Sequence, residues 1–258
     1  MSASNENLPL EDRGSARRRS RVLTGLALFG LLGLAGGVLV IVEYRSATPG
    51  AASQEQPKPP NADFNLTRIR AEQGDPGSQN ILGELYLNGQ GVRPDSGAAA
   101  EWFAKSAAQG HAPAQLNLGM LFEAGQGVAV DPAQAVEWYR KAAEQGLPAA
   151  QYSLAATYAY ARGVSRDDRE ALKWLIRAAE QGHALSEYAL AHRYIAGLGV
   201  PQDLAEAFKW LTLAQAQNIT DAATVLDEIK PKMSRAQIAE GRKRAQQFAP
   251  RTTPVVSP

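Results

Sequence analysis

The sequence predicts an all-α chain in which a single transmembrane helix precedes an array of 36-residue helix-turn-helix repeats. Three observations carry that expectation. Residues 22–42, VLTGLALFGLLGLAGGVLVIV, run for 21 positions without a charge. Sliding the chain along itself by 36 positions superposes all four tryptophans, Trp102, Trp138, Trp174 and Trp210. The same offset aligns Leu82, Leu118, Leu154 and Leu190, then Gly91, Gly127, Gly163 and Gly199, then Asp95, Asp131, Asp167 and Asp203. Scattered core residues do not recur at one spacing, so these columns mark stacked copies of one supersecondary unit.

Taken in chain order, residues 1–21 form a basic tail that holds Arg13, Arg17, Arg18, Arg19 and Arg21, whereas only Arg45 and Lys58 follow the apolar run before residue 62. That bias keeps the tail cytoplasmic. At about 1.5 Å per residue, a helix over 22–42 matches a hydrocarbon core of roughly 30 Å. The apolar core of a cleavable signal is shorter, about 7 to 15 residues, so the run reads as an uncleaved anchor. Its location is then a single pass through the inner (cell) membrane, with everything after it periplasmic or otherwise extracytoplasmic. Residues 43–62, rich in Pro, Ala and Ser, lack any apolar period and read as a stiffened linker.

Four units follow, at 75–110, 111–146, 147–182 and 183–218. Each is expected to be two antiparallel helices. In the second unit Ala114, Leu118 and Phe122 recur every four residues as one apolar stripe, and Gly119 beside them leaves room for a neighbouring backbone. The loop AGQGVAVD sets Gly125 and Gly127 where positive φ is needed, and Asp131 supplies the oxygen that caps the next helix. There Ala135, Trp138, Tyr139 and Ala142 fall at i, i+3, i+4 and i+7, a core stripe that makes the tryptophan structural.

These columns, with Tyr/Phe, Gly-x-Gly-Val, Asp, Ala, Trp, Ala-Ala and a terminal Gly, resemble the Sel-1-like repeat, a relative of the tetratricopeptide repeat. The resemblance covers 75–218, and RIRAEQG at 68–74 looks like the end of a partial unit, 63–74. It implies a right-handed α-solenoid of the kind that serves as an adaptor in protein assemblies. Ala161 in place of the first loop glycine, and Gln215 and Asn218 at the end of unit four, depart from the pattern and predict that those two loops are shaped differently. Residues 219–249 read as capping helices, with Ser234 and Gln237 as a capping box, and 250–258 as a disordered tail.

Composition removes several classes of function. Lys plus Arg is 27 against Asp plus Glu 26, a net charge of +1, which is not the footprint of a nucleic-acid binder. There is no Cys and there are three His, so thiol chemistry is absent, and histidine-rich metal or catalytic centres and cofactor sites are not expected. His192 has no Ser, Cys or carboxylate at a triad spacing, Asp167 and Asp168 sit beside Arg166 and Arg169 as a solvated cluster, and GQGV is a helix-to-helix turn, not a phosphate loop. A hydrolase is the least supported reading.

What varies between units is where binding is expected, because packing columns must stay fixed. Leu116, Tyr152 and Tyr188 share one variable column, and Met120 and His192 lie four positions on. Together with Tyr160 and Arg193 they are expected to rim a groove on the concave face, where Tyr and Arg suit a protein partner. The alternative ligand is a cell-envelope glycan, peptidoglycan or an exported polysaccharide, which tyrosine rings stack against. Arg242, Lys243 and Arg244 read as a solvated basic face.

Overall fold

Among the described residues, eleven α-helices run from Ala62 to Gln246, and the eight that form the four repeats preserve the 36-residue offset in their own boundaries. The computed structural model describes residues 62–251, which belong to the unit Val38–Pro258. The tail 1–21, the span 22–42 and most of the linker lie outside the described residues. Among those that are described, no helix is long and apolar enough to cross a membrane. Each repeat has a first helix, α2 (Pro76–Asn88), α4 (Ala112–Ala124), α6 (Pro148–Tyr160) or α8 (Ala184–Ala196). Each also has a second, α3 (Ser96–Ala108), α5 (Pro132–Glu144), α7 (Asp168–Glu180) or α9 (Leu204–Ala216). Before them stands α1 (Ala62–Glu72), a lone second-type helix, and after them α10 (Thr220–Ile229), a 3₁₀ turn at Lys230–Lys232, and α11 (Arg235–Gln246). From α1 to α10 each helix packs on its sequence neighbours, and α11 packs back on α9, which makes an all-α solenoid.

Local chemistry fixes where each helix starts and stops. The aspartate column caps the second helices: Asp131 Oδ1 accepts from the N–H groups of Ala133 and Gln134 at 3.1 and 3.0 Å, and Asp167 and Asp203 repeat the arrangement. First helices follow the preceding helix so closely that their leading backbone N–H groups bond back into it, as His111 does to Ser106 O and His183 to Ala178 O.

The two expected irregular loops are regular. Ala161 takes φ 55° and ψ 40°, close to the 69° and 34° of Gly125, and Asn218 takes φ 68° where Gly110 and Gly146 stand in earlier units. The left-handed position is dictated by the packing of the helices on either side, so the residue there adopts it at a cost of roughly 1 kcal/mol.

Several other glycines are set by close approach. A side chain on Gly163 would place its Cβ 2.2 Å from the Pro132 carbonyl oxygen, and one on Gly199 2.4 Å from that of Asp168. The loop of each unit therefore rests on the start of the previous unit's second helix. At Gly119 the space is taken by the Tyr139 ring, 2.6 Å from where a Cβ would lie, and by the neighbouring backbone at the Ala135 carbonyl oxygen, 3.2 Å away. Gly83 faces Phe103 in the same way. In the last two repeats Ala155 and Ala191 replace the glycine and Leu175 and Leu211 replace the ring, all of them buried. Small against large becomes medium against medium at nearly constant volume.

The tryptophan column is held by packing and by cations. Lys105, Lys141 and Lys209 place their ammonium groups 4.0, 3.9 and 3.8 Å from the ring centres of Trp102, Trp138 and Trp210, and the Arg177 guanidinium lies 4.6 Å from that of Trp174.

The two ends differ. At the far end α11 opens with the Ser234–Gln237 capping box and lies against α9, with Gly241 allowing contact with the Ala205 carbonyl and the Phe208 ring. Arg244 is not a free surface cation: its guanidinium bonds Glu240, Glu206 and Asp203 at 2.9, 2.9 and 3.2 Å, tying α11 to α9. Phe248 stacks edge-on against Trp210 at 5.3 Å. Pro250 and Arg251, which the sequence places in a disordered tail, are held instead: Arg251 donates its backbone N–H to Glu180 O at 2.7 Å and pairs with the Glu180 carboxylate. Residues 252–258 lie outside the described residues. At the near end Leu66, Ile69 and Ile81 are all close to half exposed.

Candidate functional site

The first helices α4 and α6 carry the side chains that reach solvent with chemistry to offer. Met120 on α4 is 47% exposed and Tyr160, the last residue of α6, is 51% exposed. The Arg162 guanidinium stacks 5.4 Å from the Tyr160 ring centre and reaches back to the Glu123 carboxylate of the preceding repeat at 3.0 Å. The other oxygen of Glu123 accepts from the Tyr139 hydroxyl at 2.7 Å, which together with burial pushes that phenol far above its ordinary range. Tyr152 is half-buried beside this group, its phenol raised by burial and by the neighbouring Tyr160. An aromatic ring and a cross-repeat ion pair thus lie between repeats two and three, with exposed Met120 three residues before Glu123 on the same helix α4.

The remaining expected residues do not join them. Tyr188 is 6% exposed, its ring 4.7 Å from that of His192 in an edge-on contact. His192 has its Nε2 buried without a hydrogen-bond partner, and burial lowers its tendency to take a proton. Arg193 is buried and ion-paired with Asp168 at 2.5 Å, where Leu85, Leu121 and Thr157 stand in the other repeats. Asp168 thus keeps the expected pairing with exposed Arg166, at 2.9 Å, and adds a buried cation partner that the sequence did not show. Its carboxyl is held below the usual range by Arg193 and Arg166, against its own partial burial. Leu116 packs half-buried against the core, and Tyr152 is turned toward His183, ring centres 5.5 Å apart. The variable fifth column of the first helices thus packs rather than lining one continuous groove, and of the expected residues Met120 and Tyr160 are the two with large exposure. Arg162 beside Tyr160, and Glu123 paired with it, were not expected.

A polar ladder also escaped the sequence reading. Gln115 Nε2 donates to Ala107 O of the previous repeat at 3.2 Å, while its Oε1 accepts from Gln145 Nε2 at 2.7 Å. Gln79 and Gln151 make the same two bonds with Ala71 and Gln109 and with Ala143 and Gln181. The fourth position of the column is Glu187, 1% exposed, which accepts from Gln217 Nε2 at 2.9 Å. Burial pushes its carboxyl up to about 7, against the opposing pull of Gln217 and Lys209. The signal was available in the 36-residue offset, which aligns Gln79, Gln115, Gln151 and Glu187.

An open cleft of about 590 Å³ lies between the fourth repeat's loop and the cap, lined by Tyr194, Asp203, Lys232 and Gln237 among others. Among the described residues no group of His, Asp and Glu is arranged to hold a metal.

The Sel1 repeat model matches residues 76–111, 112–147, 148–183 and 184–218, more than half of the chain. The chain belongs to the Sel1 repeat family. Sel1 repeat proteins generally mediate protein–protein interaction, and their scaffold homologues are typically non-enzymatic. Among solved structures, a protective antigen of uropathogenic Escherichia coli strains that displays an SLR fold is 34% identical, with a TM-score of 0.65 over 72% of this chain and 41% of the antigen. The chain thus spans about two fifths of that protein's length. A Sel1 repeat protein from Oxalobacter formigenes is 30% identical, with a TM-score of 0.60 over 72% of this chain and 83% of the other. Comparison with the curated proteins finds no match.

Proposed function

We propose that this Sel1 repeat protein is a membrane-tethered adaptor that holds a protein partner on the seam between repeats two and three. The observation that carries the reading is the exposed Tyr160 ring beside Arg162, which reaches across to Glu123 on α4, where Met120 is exposed three residues earlier. Large rings and thioethers gain most from burial in an interface, and a guanidinium–carboxylate pair supplies directional bonds at its rim. The charge-free run at 22–42, the basic residues before it and the Pro-rich linker after it support a single inner-membrane anchor with the solenoid on the extracytoplasmic side. The exposed Tyr160 ring also suits stacking on a sugar, which makes a cell-envelope glycan the second reading.

The test is co-purification of the full chain from its native membrane with Met120→Ala and Tyr160→Ala. Both substitutions are expected to cut capture of a discrete partner tenfold or more while leaving thermal unfolding within a few degrees of the parent. Unchanged capture removes the seam. Loss of the variants' co-sedimentation with cell-wall sacculi, without any protein partner, selects the glycan. A reporter active only outside the cytoplasm, fused after Pro258, tests the orientation independently.

A further inference from the structure

The bridge at Gln79, Gln115 and Gln151 needs one donor and one acceptor on the same side chain. The amide nitrogen donates to a carbonyl of the previous repeat, and the amide oxygen accepts from the glutamine that ends the same repeat's second helix. In the fourth repeat Glu187 keeps the acceptor half, bonded to Gln217. The carbonyl that corresponds to Ala71, Ala107 and Ala143 is that of Ala179, also fully buried. A carboxylate has no hydrogen with which to meet it, whereas a carboxylic acid does.

We propose that Glu187 is a proton-operated joint between repeats three and four. With a proton on the carboxyl it donates to Ala179 O and accepts from Gln217, repeating the glutamine bridge. Without the proton a buried negative charge faces a carbonyl oxygen and the α7–α8 contact loosens.

The surroundings allow this. From α9, Lys209 acts on Glu187 and favours its charged form, yet the ammonium is already held by Glu206 at 2.8 Å and by the Trp210 ring. On α8 itself His183 is turned to the Ser186 hydroxyl at 2.8 Å, and Arg193 is committed to Asp168. On α7 Arg177 covers Trp174 and Glu180 pairs with Arg251. On α10 Asp221 and Glu228 act on Tyr188. None of these groups neutralises the carboxylate by direct pairing.

The sign follows from linkage. A carboxyl whose folded value lies above its unfolded one gives stability that is fully present below the unfolded value, near 4.5, and is lost as pH rises through about 7. The experiment is thermal unfolding of the full chain and of Glu187→Gln from about pH 5 to pH 8.5, with infrared detection of the protonated carboxyl band. The parent is expected to lose about 5 °C relative to Glu187→Gln across that range, and to show a carboxylic-acid band near pH 6 that the variant lacks. Parallel unfolding profiles, or no such band in the parent, overturn the proposal. Should the variant fail to fold, the parent decides alone: its melting temperature must fall from about pH 5 and level off as the carboxylic-acid band fades between about pH 6 and pH 8, and a band that is absent or a fall that continues past its loss overturns the proposal.

Discussion

Ala161 shows what one residue contributes in a repeat. Its backbone is left-handed because the helices it joins are fixed by packing, and glycine holds that position in the other three units. Ala161→Gly relieves the strain and loosens the unfolded chain, so the net gain is small, about 0.5 kcal/mol, measured as a higher denaturant midpoint. The reverse change is far from symmetric. In Gly125→Ala the new Cβ would lie 2.5 Å from Val130 Cγ2, so a loss of about 2 kcal/mol is expected in the same measurement. Position 166, which corresponds to Val130, is an exposed arginine, and so the third repeat accommodates an alanine that the second does not. At this scale the sequence revealed that a left-handed residue was needed but not which neighbour would meet its side chain.

Pairs of helices are matched by volume. Gly83 with Phe103 and Gly119 with Tyr139 are close contacts, while Ala155 with Leu175 and Ala191 with Leu211 occupy the same places in the later repeats. Gly83→Ala alone is expected to cost about 2 kcal/mol, Phe103→Leu alone about 1 kcal/mol, and the double variant less than their sum, a coupling that a double-mutant cycle in urea reads directly. Additive losses would mean the two helices are not fitted to each other. Helices, loops and caps were legible in the sequence because their causes lie within a few residues: a stripe every three or four positions, a capping aspartate, a glycine past the end. The candidate site was legible only in part. Met120 and Tyr160 face solvent as expected, but Tyr188 and Arg193 are buried, because whether a variable column faces solvent depends on how the next repeat stacks. Arg193 and Asp168 lie 25 residues apart and meet only through that stacking. Glu123 and Arg162, 39 residues apart, were invisible for the same reason.

Across the whole molecule, stability is a chain of nearest-neighbour contacts, so the ends open first unless they are covered. The cap depends on Arg244, which gathers Asp203, Glu206 and Glu240, and on Phe248 against Trp210. Arg244→Ala is expected to lower global stability by about 1 kcal/mol, since the ion pairs are partly solvated, and to raise hydrogen exchange in α10 and α11 before the central repeats. Uniform acceleration across all repeats would instead point to a single cooperative unit. The proposed partner surface at Met120 and Tyr160 lies in repeats two and three, away from both ends of the array.

The most direct test of the adaptor reading is photocrosslinking of the full chain in its native membrane from positions 120, 160 and 188, one at a time, followed by mass spectrometry. One discrete protein adduct is expected from 120 and 160 and none from the buried 188. Adducts from 188 with none from 120 or 160, or a protein that is folded and inserted yet yields no adduct from any of them, would contradict that reading.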